Sequence, residues 1–243
     1  MARRKFDIYQ GRDPREIPTY SLVEAAHYLQ IPQATLASWI RGRYYPTKGG
    51  PKGYSEPIIV RPDQDLPLLS FTNLVEAHVL DAIRYFHHVP LKNVRSAVSY
   101  LRRASGSPHP LADHWFQLRG AELITKTEGL LVNATRQGQI EMEAVIRAYL
   151  QRVARDPKGA AESLYPYLTR HPRNVEDQPK LVLIDPRISF GKPILVGVGV
   201  PTAVVADRYS AGETVNALAR DYGCKASEIE DAIRYEGAES KAA

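Results

Sequence analysis

Four short side chains that could read base edges sit close together in this chain: Gln33, Ala34, Thr35 and Ser38, within Ile31-Pro32-Gln33-Ala34-Thr35-Leu36-Ala37-Ser38-Trp39-Ile40. Leu36, Trp39 and Ile40 form the apolar stripe of a short helix, which leaves those four on its outer, N-terminal side. From Arg41 to Pro62 five cations (Arg41, Arg43, Lys48, Lys52 and Arg61) stand against one acid, Glu56, with Tyr44, Tyr45 and Tyr54 interleaved. Cations and tyrosine hydroxyls of this kind hold a phosphate backbone. The chemistry on offer is nucleic-acid recognition, with Gln33, Ala34, Thr35, Ser38, Arg41, Arg43, Tyr44, Lys48, Lys52 and Tyr54 as candidate contacts. The plain alternative is an ordinary helical hairpin in a core, and the cation excess argues against it.

These residues need elements to position them. Ser21 with Glu24 makes a capping box, and Leu22, Ala25, Ala26 and Leu29 follow at helical spacing. Gln30-Ile31-Pro32 breaks that helix and opens the next, so residues 20–42 predict a helix-turn-helix. Arg43 to Pro62, centred on Gly49-Gly50-Pro51, reads as a β-hairpin wing between Tyr44-Tyr45 and Pro57-Ile58-Ile59-Val60. Leu68 to Arg84, capped near Ser70 to Asn73, and Leu91 to Arg103, with Val94, Ala97, Val98 and Leu101, read as two further amphipathic helices. Trp115 to Met142 reads as a small antiparallel sheet, Glu143 to Ala154 as a helix and Ala160 to Leu168 as another. Near the end, Leu181 to Ile184 is a buried strand, and Ile194-Leu195-Val196 and Val198-Gly199-Val200 a pair of strands. Three helices then follow at Ala203–Ala211, Val215–Tyr222 and Ser227–Tyr235, with a capping box from Ser227 to Glu230. The fold class is mainly α with small β elements: a winged helix-turn-helix, a central sheet, and a C-terminal β-hairpin with a three-helix module. The domain pattern is a flexible basic arm (1–18), a DNA-binding part (19–104), a central region (111–171) and a C-terminal module (181–236).

Charge supports the division of labour. Residues 1–62 hold ten Lys/Arg against five Asp/Glu, whereas residues 185–243 hold seven against nine, within a net charge of +5. A basic N-terminal part suits phosphate, and Glu228, Glu230, Asp231 and Glu236 on the last helix do not. The C-terminal module therefore reads as a protein-contact unit, with Ile194, Leu195, Val196, Val198, Val200, Arg208 and Tyr209 as candidate dimer or partner contacts. The one cysteine, Cys224, excludes an internal disulfide framework and reads as a small apolar residue at a turn. With no apolar run of roughly 18 residues and no secretory signal, the expectation is a cytoplasmic protein that touches no membrane. No P-loop, G-x-S-x-G or H-E-x-x-H occurs, and Gly197-Val198-Gly199 does not lead into a helix as a dinucleotide loop does. Asp185, Asp207, Asp221 and Asp231 are scattered, and His109 and His114 lack partner ligands. Catalysis, a metal and a cofactor are not expected.

Two resemblances add to this reading. Helix-turn-helix, wing, then "LLSFTNLVEAHVL" and "VPLKNVRSAVSYLRR" resembles the MerR-type winged helix-turn-helix over residues 20–103. That family often places Arg where this chain has Ala34, Ala37 or Ser38, so the resemblance implies fewer direct guanine contacts and more reliance on wing and DNA shape. "DPRISFGKPILVGVGVP…ADRYSAGETVNALARDYG…SEIEDAIRYE" resembles a small family of bacterial domains found chiefly as antitoxins beside PIN-like toxins. It departs at Val198-Gly199-Val200, where the family prefers "GTRIP". Together they resemble the VapB-type antitoxins of type II toxin–antitoxin systems. What this implies is a homodimer that binds operator DNA, represses its own operon and neutralises a cognate PIN-like ribonuclease toxin. The alternatives are a stand-alone MerR-type regulator that senses a small molecule through its central module, and an accessory factor that bends DNA.

Overall fold

Tyr20–Ser21 (β1) is a two-residue strand just before the first helix. It pairs antiparallel with Leu68–Leu69 (β4), Tyr20 opposite Leu69. The structure is a computed structural model that describes residues 9–46, 49–85, 91–113, 116 and 136–237. Ser21 then caps Leu22–Tyr28 (α1): its hydroxyl accepts from Glu24 N at 3.2 Å, and the Glu24 carboxylate accepts from Ser21 N at 2.9 Å. Gln30 takes a left-handed conformation (φ 56°) at the turn, and Pro32 caps Gln33–Ile40 (α2). Leu36 and Trp39 are fully buried against Ala25 and Ala26 of α1, which fixes the helix-turn-helix.

The wing is a hairpin of Arg43–Tyr45 (β2) and Gly53–Ser55 (β3), Tyr44 opposite Tyr54. Its return strand is therefore Gly53–Ser55, not residues 57–60. Ile58 and Ile59 are buried beneath the wing, and both amides bond to Trp39 O, at 2.8 and 3.1 Å. An apolar pair with that burial cannot also sit on a solvent-facing strand. Ser70 and Asn73 cap Phe71–Tyr85 (α3) reciprocally at 3.2 Å. Leu91–Ser105 (α4) follows, its Val94, Val98 and Leu101 buried.

Most of the stretch expected as a central sheet lies outside the described residues. Its last part is helical, because Arg136–Leu150 (α5) begins there and carries Val145, Ile146, Tyr149 and Leu150 inward at helical spacing. The expected helix at 160–168 is instead a strand. Val153–Arg155 (β5) turns onto Ala161–Leu164 (β6), because the Asp156 carboxylate accepts from Lys158 N and Ala160 N and Gly159 takes φ +87°. Ile184 extends this pairing through a bridge to Leu164.

Val182–Leu183 (β7) pairs with Ile194–Leu195 (β8). Val198-Gly199-Val200 forms no strand: Gly197 and Gly199, at φ +81° and +76°, curl the chain so that Val198 N and Gly199 N both donate to Leu195 O while Val200 O accepts from Leu195 N. Thr202–Ser210 (α6), Val215–Tyr222 (α7) and Ala226–Glu236 (α8) enclose a second small core of Leu195, Val205, Leu218, Ala219, Ile229 and Ala232. The capping box of α8 lies two residues before the expected one: the Glu228 carboxylate accepts from Lys225 N at 2.8 Å.

The C-terminal module is docked on the helix-turn-helix. The Tyr235 hydroxyl donates to Tyr28 O (2.7 Å), Gln30 Nε2 donates to Tyr235 O (3.2 Å), and His27 Nε2 lies 2.8 Å from Glu236. Glu236 also accepts from the Thr202 hydroxyl. Tyr20 lies over Gly191, whose missing Cβ would stand 2.0 Å from the phenol oxygen. Residues 9–18, expected as part of a flexible arm, make long-range bonds: the Tyr9 hydroxyl donates to Pro186 O (2.9 Å), and Arg15, itself held by its neighbour Asp13, pairs with Asp156. Among the described residues no helix is long and apolar enough to cross a membrane.

Candidate nucleic-acid interface

Helix α2 presents its N-terminal end outward. Gln33 and Ala34 are exposed and Thr35 is half-buried, so the first turn offers one amide side chain and one hydroxyl. Ser38 lies a turn later and its hydroxyl donates to Thr35 O at 2.7 Å, which leaves its oxygen lone pairs but commits its proton. Arg41, just past α2, is exposed. Arg43 is in β2, its backbone opposite Ser55; Lys48 lies outside the described residues.

The wing is built around its tyrosines. Tyr44 and Tyr54 face each other across the hairpin with ring centroids 4.9 Å apart, and they are 71% and 52% exposed. Two glycines make room for this aromatic surface: a Cβ on Gly42 would fall 1.9 Å from the Tyr54 oxygen, and one on Gly53 2.6 Å from the Tyr45 ring. Rings held this openly in water, beside exposed Arg41 and Lys52, are suited to pack on sugar and donate to phosphate.

The interface is braced by a further helix. Arg95 of α4 donates to Glu56 O at 3.3 Å and to Ser38 O at 3.4 Å, and Arg102 donates to Ile58 O at 3.0 Å. One helix thus ties the end of α2 to the base of the wing. Sequence reading missed both arginines as site residues, although Lys92, Arg95, Arg102 and Arg103 on the polar side of that helix were a legible signal.

Behind α4 lies a buried polar group. The Glu76 carboxyl is fully buried, and burial raises its pKa against the pull of His109, Asn73 and Arg102. His109 Nδ1 lies 2.9 Å from it and Glu16 3.6 Å from the other ring nitrogen. Burial opposes the charged ring, but these carboxylates outweigh it and raise the His109 pKa. Among the described residues no group of three or more His, Cys, Asp or Glu is placed to hold a metal.

The residues expected to meet a partner are split by the fold. Ile194 and Leu195 are buried in β8 and serve the chain's own core, so they cannot form a contact surface. Val198 and Val200 are half-buried against the second core. Val196 and Tyr209 remain exposed, at 37% and 45%. Arg208 is spent within the module: it binds Glu213 (2.6 Å) and Asp221 (2.5 Å) and stacks on Tyr222, and these bonds raise its pKa. Cys224 is half-buried at the α7–α8 turn, where burial raises its thiol pKa.

A helix-turn-helix with a tyrosine-faced wing, joined to a compact three-helix module, defines a winged helix-turn-helix protein of two parts. The comparisons agree with both. Residues 18–98 match the family described as "Putative DNA-binding HTH domain", and residues 182–235 match "Protein of unknown function (DUF433)". The "Putative antitoxin VapB45" of Mycobacterium tuberculosis is 31% identical over 235 residues, 90% of this chain and 93% of that protein. The chain belongs to the family of that VapB45 protein. The "Uncharacterized protein Rv2308" of the same organism is 28% identical, over 91% of this chain and 90% of its own. The crystal structure of Rv2018 from Mycobacterium tuberculosis superposes with a TM-score of 0.61 at 26% identity, covering 90% of this chain and 98% of that one.

Proposed function

We propose that this protein is the antitoxin of a toxin–antitoxin pair: it binds operator DNA through α2 and the wing, and holds its toxin through the C-terminal module. The supporting observation is that an α2 end open to solvent, flanked by an exposed aromatic wing, occurs in a chain related over nine-tenths of its length to the "Putative antitoxin VapB45". The finer reading is a cytoplasmic homodimer that represses its own operon, silences a PIN-like ribonuclease by covering its active site, and catalyses nothing itself. Gln33 and Thr35 would meet base edges, Arg41, Tyr44, Lys52 and Tyr54 phosphates and sugars. Val196 and Tyr209, with Ile188, Phe190 and Val204, are exposed apolar groups of the module that a protein partner could cover.

Co-expression of the chain with the product of its neighbouring reading frame, followed by size-exclusion chromatography and an RNA-cleavage assay, tests this. A stable complex with suppressed cleavage is expected. No complex, with the chain alone binding upstream DNA, would favour the stand-alone MerR-type regulator.

A further inference from the structure

The polar face of α4 and the base of the wing enclose a cleft of about 370 Å³, lined by Tyr54, Glu56, Arg95, Ser99, Arg102 and Arg103 among others. Its character is cationic: three arginines face a single carboxylate, and Ser96 and Ser99 add hydroxyl donors on the same helix. We propose that this cleft is a second phosphate-binding site, which seats the DNA backbone beside the duplex segment read by α2. The inference rests on the DNA-binding reading above and extends it to a helix outside the helix-turn-helix and wing.

Three observations carry it. First, the spacing is that of a rail. Arg95, Ser99, Arg102 and Arg103 recur along one flank of the helix, beside the buried stripe of Val94, Val98 and Leu101. From Arg95 to Arg103 the helix rises about 12 Å, over which one DNA strand presents about three phosphates along the duplex axis. Second, the donors are only partly used. Arg102 is half-buried and gives one amino group to Ile58 O, and Arg103 is exposed with no hydrogen bond or ion pair among the described residues. Third, the cleft is contiguous with the recognition surface. Arg95 touches Ser38 O at the far end of α2, and Tyr54 belongs to both the wing face and the cleft.

The test compares the wild-type chain with Arg103→Gln, Arg103→Lys and, as a distant control on α8, Arg234→Gln. Each is titrated with the DNA upstream of its own reading frame, a random duplex of equal length and the matching RNA duplex, between about 50 and 300 mM salt. For Arg103→Gln the slope of log affinity against log salt should flatten by about 0.9 on both DNA duplexes, and affinity should fall roughly fivefold near 0.15 M salt. Arg103→Lys should keep the wild-type slope. Melting curves that match the wild type would exclude a folding effect, since Arg103 holds nothing in place. An unchanged slope in Arg103→Gln, an equal change in Arg234→Gln, or a change on RNA alone would overturn the site while leaving the DNA-binding reading intact. A wild type that binds neither DNA duplex would overturn both.

Discussion

Acidification should destabilise the N-terminal core through His78, and the size of the effect follows from its surroundings. The ring lies on α3 between Tyr149 and Tyr167, with centroids 4.8 and 6.0 Å away, and its Nε2–H donates to Tyr149 O at 3.0 Å. Burial pushes its pKa down to about 4 from an ordinary 6.5, and Arg152 adds to the push while Asp81 opposes it. Between those values the unfolded chain takes up a proton that the native chain refuses, so stability falls as pH drops through this window. The slope is about 1.4 kcal/mol per pH unit, which amounts to about 3 kcal/mol by pH 4. His78→Gln keeps an amide donor near Tyr149 O and removes the titration. Urea unfolding of both proteins at about pH 7 and pH 4.5 isolates the group, because other acid-sensitive pairs such as Asp81 with Arg170 and His171 are common to both. The wild type should lose about 2–3 kcal/mol more than the variant across that interval. A difference below about 0.5 kcal/mol would show that burial of His78 does not set its protonation, and the argument would fall.

Two further substitutions probe the docking and the reading head. Gly191→Ala places a methyl carbon 2.0 Å from the Tyr20 hydroxyl at a backbone φ of +75°, and should cost about 2–4 kcal/mol in chemical denaturation. Adding Tyr20→Phe should recover part of that loss, since the buried hydroxyl has no hydrogen-bond partner; no recovery would refute the contact. Trp39→Ala empties the space between α1, α2 and Ile58-Ile59, should cost about 3–5 kcal/mol by the same assay, and should abolish DNA binding in a mobility-shift experiment. Retained binding at full stability would contradict the placement of Trp39 as the shared core of helix and wing.

Local chemistry determined a large part of this protein in advance. The Ser21–Glu24 box, the turn at Gln30 to Pro32, and Leu36, Trp39 and Ile40 define the helix-turn-helix because each signal acts within four residues. The same holds for Val215–Tyr222, which Thr214 caps at one end and left-handed Gly223 closes at the other. Where signals were ambiguous at short range, tertiary contacts chose. Ala161–Leu164 became a strand because the Asp156–Gly159 turn folds it back on β5 and Ile184 is there to bridge it. Ile58 and Ile59 left the wing because Trp39 O offered both amides a partner inside the core.

The candidate site divides along the same line. Which face of α2 looks outward, and which hairpin carries cations and tyrosines, could be read from residue order, since periodicity assigns faces. Three things could not. Arg95 lies 57 positions from Ser38, so its bond to that carbonyl exists only once the fold brings α4 beside α2. His27 and Glu236 are separated by 209 positions, and their contact places the C-terminal module against the first helix of the reading head. Ile194 and Leu195 looked like contact surface because apolar strands can face either a partner or a core. Only the pairing of β8 with β7 and the helices packed over it settled that they face the chain's own interior.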